Sequence, residues 1–227
     1  MKIAVRGGHT ELCTGASALI NELTEDRKVT AAVIKYLREL GHEVLDVTPP
    51  VNYTSSSGTD LAYGVNKANS WGADLFLSIH FNKAYNSYNG AIGSEVCVYS
   101  NNAVAERVIN ALAGLGFKNR GQKVRKELYE LKNTSMNAMI VETCFVEAIE
   151  DVALYRRLGP DAIGKSIAEA IANKKVPTST TSSTSSSGET FYRVIAGSYK
   201  ERANAEKRKS ELEAKGFTGV FLEAFKK

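Results

Sequence analysis

The most constraining feature of this sequence is the run Leu75-Phe76-Leu77-Ser78-Ile79, which is apolar at nearly every position instead of alternating. A strand of that kind needs cover on both faces, and strands covered on both faces belong to sheets layered between helices. The flanking pattern agrees. Ile3-Ala4-Val5 reads as a first strand, and Val29, Val33, Tyr36, Leu37 and Leu40 recur at helical spacing within 22–40, closed by Gly41. Residues 43–47 form a second strand stopped by Pro49-Pro50, and Leu61, Val65 and Ala68 mark a further helix. Residues 94–99 read as a strand, 103–115 as a helix, 138–141 as a strand, and 147–172 as one or two helices. Strands alternating with helices predict an α/β fold, a mainly parallel twisted sheet flanked by helices.

That pattern stops at Lys175-Val176-Pro177, where a run made almost wholly of Ser and Thr extends to Gly188. Such a run has no apolar surface to bury and is expected to be a flexible tether. Beyond it the pattern resumes as a small α+β module: a strand over 192–196, a helix over 203–215 ended by Gly216, and a strand over 220–225. The expected organisation is a domain over 1–174, a linker over 175–189 and a module over 190–227.

Charge and composition exclude several classes. A net charge of +4 favours an anionic polymer but is far too small to indicate nucleic acid. No stretch has the apolar length of a membrane span, and the N-terminus, Met1-Lys2-Ile3-Ala4-Val5-Arg6, reads as a strand and not as a signal peptide. Three widely spaced cysteines, Cys13, Cys97 and Cys144, argue against a disulfide framework and for folding in a reducing cytoplasm. A doubly wound nucleotide-binding domain is also excluded, because no Gly-x-Gly-x-x-Gly follows a strand.

The chemistry rests on few residues. Of three histidines, His9 follows the first strand after Gly7-Gly8 and His80 directly ends the strand 75–79, so both occupy the carboxyl edge where parallel sheets hold ligands. His42, in the turn after Gly41, reads as a solvated turn residue. A hydrolytic zinc takes three protein ligands and leaves one position open for water, and two histidines with a glutamate are one such set. Glu22 and Glu25, both near the start of the first long helix, are the candidates for the third ligand. Glu142 closes the strand 138–141, where it would cap a helix, pair with Arg120, or act as a general base.

Five segments in order then carry a resemblance: Gly8-His9; Asn21-Glu22 before a helix ending Leu40-Gly41-His42; residues 73–82 with Ser78-Ile79-His80; Asn119-Arg120-Gly121; and Val141-Glu142-Thr143-Cys144-Phe145. Over its first 173 residues the chain resembles the zinc-dependent N-acetylmuramoyl-L-alanine amidases of the type 3 family, found in autolysins and endolysins. The resemblance implies one zinc per chain held by His9, Glu22 and His80, with Glu22 favoured over Glu25 by its spacing to Gly41, and Glu142 as the catalytic acid and base. It implies cleavage of the amide between N-acetylmuramic acid and L-alanine of peptidoglycan.

Two segments depart from the family pattern. Gly8-His9-Thr10-Glu11 stands for Gly-His-Gly-Gly, which reshapes the expected substrate groove, and Glu142-Thr143-Cys144-Phe145 stands for Glu-x-Gly-Phe. Cys144 is expected to be a packed thiol, since no further histidine is placed to activate it. The alternative function is a wall-binding protein with little or no catalysis.

Residues 191–199, followed by Ala203-Asn204-Ala205-Glu206 and Lys215-Gly216-Phe217, resemble half of a SPOR domain, which implies peptidoglycan binding. A module of that size with no cysteine or histidine is expected to pair with a second copy, making a homodimer. With no membrane insertion expected, the protein would be made in the cytoplasm and reach the wall after membrane permeabilisation.

Overall fold

The structure, a computed structural model, describes residues 1–177, 197, 199–216, 220 and 222. The chain divides into two compact units, Met1–Thr178 and Ser179–Lys227.

The first unit is a six-stranded sheet in the order β2-β1-β3-β6-β4-β5. Its strands are β1 (Lys2–Gly7), β2 (Glu43–Asp46), β3 (Leu75–Asn82), β4 (Ser94–Val98), β5 (Asn119–Val124) and β6 (Asn137–Phe145). All neighbours run parallel except β4 and β6, which are antiparallel. The helices are α1 (Glu22–Glu39), α2 (Ser57–Trp71), α3 (Ala103–Gly114), the short α4 (Tyr129–Asn133) and α5 (Ile149–Ala172). α5 is two helices joined at Gly159-Pro160, where Gly159 takes φ 76° and the proline denies the next turn its donor. Among the described residues no helix is long and apolar enough to cross a membrane.

Alternation along the central strands sorts side chains into two layers. Ile3, Val5, Leu75, Leu77, Ile79, Met139 and Val141 pack in one cluster with Val29, Val33 and Leu37 of α1, Ile109 of α3 and Ile163 and Ile167 of α5. Ala4, Phe76, Ala138 and Ile140 pack in the other with Val65 and Ala68 of α2 and Leu131 of α4. Both faces of β3 are thus covered, as its composition requires. Each fully buried Leu, Ile or Phe in these layers contributes roughly 1.5–3 kcal/mol.

The structure corrects two strand ends and adds two elements. β3 continues to Asn82 and β6 to Phe145, so His80 and Glu142 lie within strands instead of ending them. Both strands run on past the polar residue because buried Phe81 follows His80 and buried Cys144 and Phe145 follow Glu142. β5, with the sequence NRGQKV, and the five-residue α4 carry too little apolar pattern to be legible. In the second unit α6 (Arg202–Ala214) matches the expected helix, while the flanking strands and most of the expected linker lie outside the described residues.

Candidate metal centre

Strand register assembles the site. β1 and β3 are parallel neighbours with Gly7 opposite Ile79, so the segment after β1 and the end of β3 emerge side by side. His80 in turn sits opposite Glu142 on β6. Glu22 arrives from α1, whose start is fixed by Asn21: its side chain accepts from the Thr24 amide at 3.1 Å.

Three of the expected residues converge. Glu22 Oε1 lies 3.0 Å from His80 Nδ1 and 3.3 Å from His9 Nε2. One donor atom from each of His9, Glu22 and His80 falls within 4.8 Å of the others. His9 holds φ 61°, a left-handed conformation rare outside glycine and costing of order 1 kcal/mol or more. Its carbonyl accepts from the Arg27 guanidinium, which also donates to the Pro49 carbonyl at 2.9 Å. Glu22 is anchored through both oxygens, accepting from the Phe81 amide at 2.9 Å and from the Ala16 amide.

The surroundings are shaped for the cluster. A Cβ on Gly8 would lie 2.2 Å from His80 Cε1, and one on Gly15 would lie 2.3 Å from Glu22 Oε2 and 2.4 Å from His9 Cδ2. Only glycine lets the backbone come so close. Two imidazoles and one carboxylate are the donor set of a hydrolytic zinc with one open position, so these residues fit that metal.

Charge in the site is tightly coupled. Burial works to raise the Glu22 carboxyl, but hydrogen bonds and charge from His80 and His9 outweigh it and hold the group well below the usual carboxylate range. Burial works to lower His80, yet the carboxylates of Glu22, Glu130 and Glu142 push it up to about 9. Glu142 is pushed up to about 7, by burial first and then by neighbouring carboxylates, against the charge of His80. Its Oε2 is buried without a hydrogen-bond partner.

The other expected residues lie elsewhere. Glu25 pairs with Lys28 at 2.8 Å and accepts from the Tyr155 hydroxyl at 2.6 Å, so the two candidates on α1 are separated by geometry. Arg120 does not pair with Glu142: it binds Glu95 at 2.8 Å, and Glu95 is the partner of Glu142 across β4 and β6. Glu142 caps no helix, since it lies within β6. His42 is half-buried instead of solvated, with Nδ1 lacking a partner, and it precedes β2 at the opposite edge of the sheet.

Cys144 is fully buried, and burial raises its thiol well above the ordinary value. The register shift in β3–β6 sets Asn82 opposite Phe145 after His80 opposite Glu142. This extra residue turns Cys144 into the layer of Val141, away from the face of Glu142.

Sequence reasoning missed Gly15, Glu95 and the groups behind His80, namely Arg6, Ser78 and Glu130. Of these only Ser78 and Arg6 left a signal, as polar residues inside strands otherwise built for burial.

Fold and site together define an α/β protein with a two-histidine, one-glutamate cluster at the carboxyl edge of its sheet that could hold a metal ion. Residues 3–173 match the family described as N-acetylmuramoyl-L-alanine amidase, and the chain belongs to that family. Residues 165–223 match the SPOR domain family. The chain is 32% identical to the sporulation-specific N-acetylmuramoyl-L-alanine amidase of Bacillus subtilis, over 98% of this chain and 84% of that protein. It is 51% identical to an uncharacterized protein of Clostridium perfringens over 78% of this chain and 53% of the relative, so it spans about half that protein's length. The catalytic domain of the CD27L endolysin targeting Clostridia Difficile superposes with a TM-score of 0.71 at 31% identity, covering 78% of this chain and 99% of that one.

Proposed function

We propose that the chain is a zinc-dependent N-acetylmuramoyl-L-alanine amidase that cuts the amide between N-acetylmuramic acid and the L-alanine of the stem peptide. The observation that carries this reading is the convergence of His9, Glu22 and His80 within 4.8 Å beside Glu142, whose Oε2 is buried without a partner. Family membership supports the substrate, and the geometry supports the assignment of roles.

His9, Glu22 and His80 would hold one zinc. When bound there, zinc supplies a Lewis acid that polarises the scissile carbonyl and lowers the pKa of water. Glu142 accepts a proton from the attacking water and delivers it to the departing alanine amine, so one carboxylate serves as base and then as acid. Burial raises the Glu142 carboxyl and so favours its taking up the water proton. The amides of Phe81 and Ala16 hold the Glu22 carboxylate, and Arg27 holds the His9 backbone, in place.

Elemental analysis of the dialysed protein should find about one zinc per chain, and chelation should abolish turnover on purified walls. Full turnover in chelator would defeat the proposal, and zinc without turnover would favour the wall-binding alternative.

The SPOR match supports a proposal that the second unit binds peptidoglycan glycan and keeps the catalytic unit at the wall. We further propose that this unit pairs with a second copy, on the ground that a segment of about 40 residues rarely sustains a core alone. Light scattering at micromolar concentration should give the dimer mass; a monomer would reject the pairing.

A further inference from the structure

Behind His80 lies a chain of polar groups that the proposed reaction does not use. Ser78 and His80 are two apart on β3 and so share a face. His80 Nε2 lies 3.0 Å from Ser78 Oγ, and the Ser78 hydroxyl donates to Glu130 Oε1 at 3.2 Å. Glu130, on α4, is held by Arg6 Nη1 at 3.1 Å. Arg6 is fully buried and is also bound by Asp60 of α2, Nη2 to Oδ2 at 3.1 Å, with Nη1 donating to the Asp60 carbonyl at 3.2 Å.

Between Arg6 and His80 Nε2 the protons have one consistent arrangement. A guanidinium donates and never accepts, and a carboxylate facing it accepts and does not donate. Ser78 has a single proton, and the carboxylate of Glu130 takes it. The Ser78 oxygen can then only accept, so His80 Nε2 must carry a hydrogen. Nδ1 is then the ring nitrogen left for a metal, and without one its N–H donates to Glu22 Oε1 at 3.0 Å.

We propose that Arg6, Glu130 and Ser78 form a positioning relay that locks His80 as its Nε2–H tautomer and so selects Nδ1 as the metal-ligating atom. The inference rests on the reading of His9, Glu22 and His80 as a zinc site. It assigns a role to two elements outside the apolar pattern of the sheet: α4 supplies Glu130, and the amino-terminal turn of α2 supplies Asp60, which holds Arg6 in place. An outer partner that fixes ring orientation and tautomer ordinarily changes metal affinity by about 10- to 100-fold. Ser78 and Glu130 touch neither substrate nor metal in this scheme and act only through the imidazole.

The direct test uses the full chain with nitrogen-15-labelled histidine and cadmium-113 in place of zinc. The His80 signals should show metal coupling through Nδ1, with a hydrogen retained on Nε2. Coupling through Nε2 would overturn the relay alone, whereas a wild-type chain that took up no metal would overturn the zinc reading and the relay with it. Ser78→Ala should raise the zinc dissociation constant by about 10- to 100-fold in chelator competition. Ser78→Thr, which keeps the hydroxyl, should restore most of the loss. An alanine variant within about twofold of wild type would contradict the relay by a second route, and the coupling measurement stands even if that variant fails to fold.

Discussion

Replacing Gly15 with alanine adds a single methyl where the zinc cluster has no room. The new Cβ would stand 2.3 Å from Glu22 Oε2, 2.4 Å from His9 Cδ2 and 2.6 Å from His9 Nε2. Ordinary contact needs about 3.5 Å, so backbone or ligands must separate by roughly 1 Å. Zinc ligands hold their distances to within about 0.2 Å, and a shift several times larger should cost at least one good metal bond. Zinc affinity should therefore fall by about 100-fold or more, close to 2.7 kcal/mol. Gly15 is not among the residues of positive φ, so alanine meets no torsional barrier and the methyl alone is tested. Competition against a chromophoric chelator on dialysed protein measures the effect. Gly58→Ala in α2 is the control: the nearest atom to its added Cβ is Ser56 Oγ at 4.0 Å, and its zinc affinity should match wild type. A Gly15→Ala protein that binds zinc within about threefold of wild type would refute the proposed ligand geometry.

Glu142→Gln should keep zinc and fold but lose about 100- to 10,000-fold in turnover, because the amide cannot accept the water proton; loss of zinc would make Glu142 a ligand instead. Glu22→Ala should abolish tight zinc binding in calorimetric titration while Glu25→Ala leaves it nearly unchanged, and the reverse ranking would void the assignment on α1. Of the three free thiols, Cys13 is half-buried, whereas Cys97 is buried and pushed up to about 12 and Cys144 is raised well above the ordinary value. A chromogenic disulfide reagent at pH 8 should therefore titrate Cys13 quickly and the other two only after unfolding, and fast reaction of Cys144 would contradict its packing.

The layered fold was legible because β1, β3 and β6 carry apolar residues on both faces, and because α1 ends at Gly41, where φ is 86°. His9, Glu22 and His80 were placed by family resemblance, while the residues alone left Glu25 equal to Glu22. What separates them is tertiary: Tyr155 of α5 and Lys28 claim Glu25, and the amides of Phe81 and Ala16 claim Glu22. The reversed direction of β4 has no signature in its pattern, since alternation looks the same either way along a strand. Glu95 and Glu130 were missed for a similar reason. Each is a charged residue whose meaning depends on a partner far along the chain, Arg120 for one and Arg6 for the other. The bulge that turns Cys144 away from Glu142 depends on pairing with β3, which no local pattern records.

The central claim is that this site hydrolyses one particular amide. Purified peptidoglycan digested by the zinc-loaded full chain should yield new L-alanine amino termini in step with loss of turbidity, with no new reducing sugars. Both signals should vanish in chelator and in Glu142→Gln. Reducing ends rising with lysis, or alanine termini released at the wild-type rate by Glu142→Gln, would contradict the account.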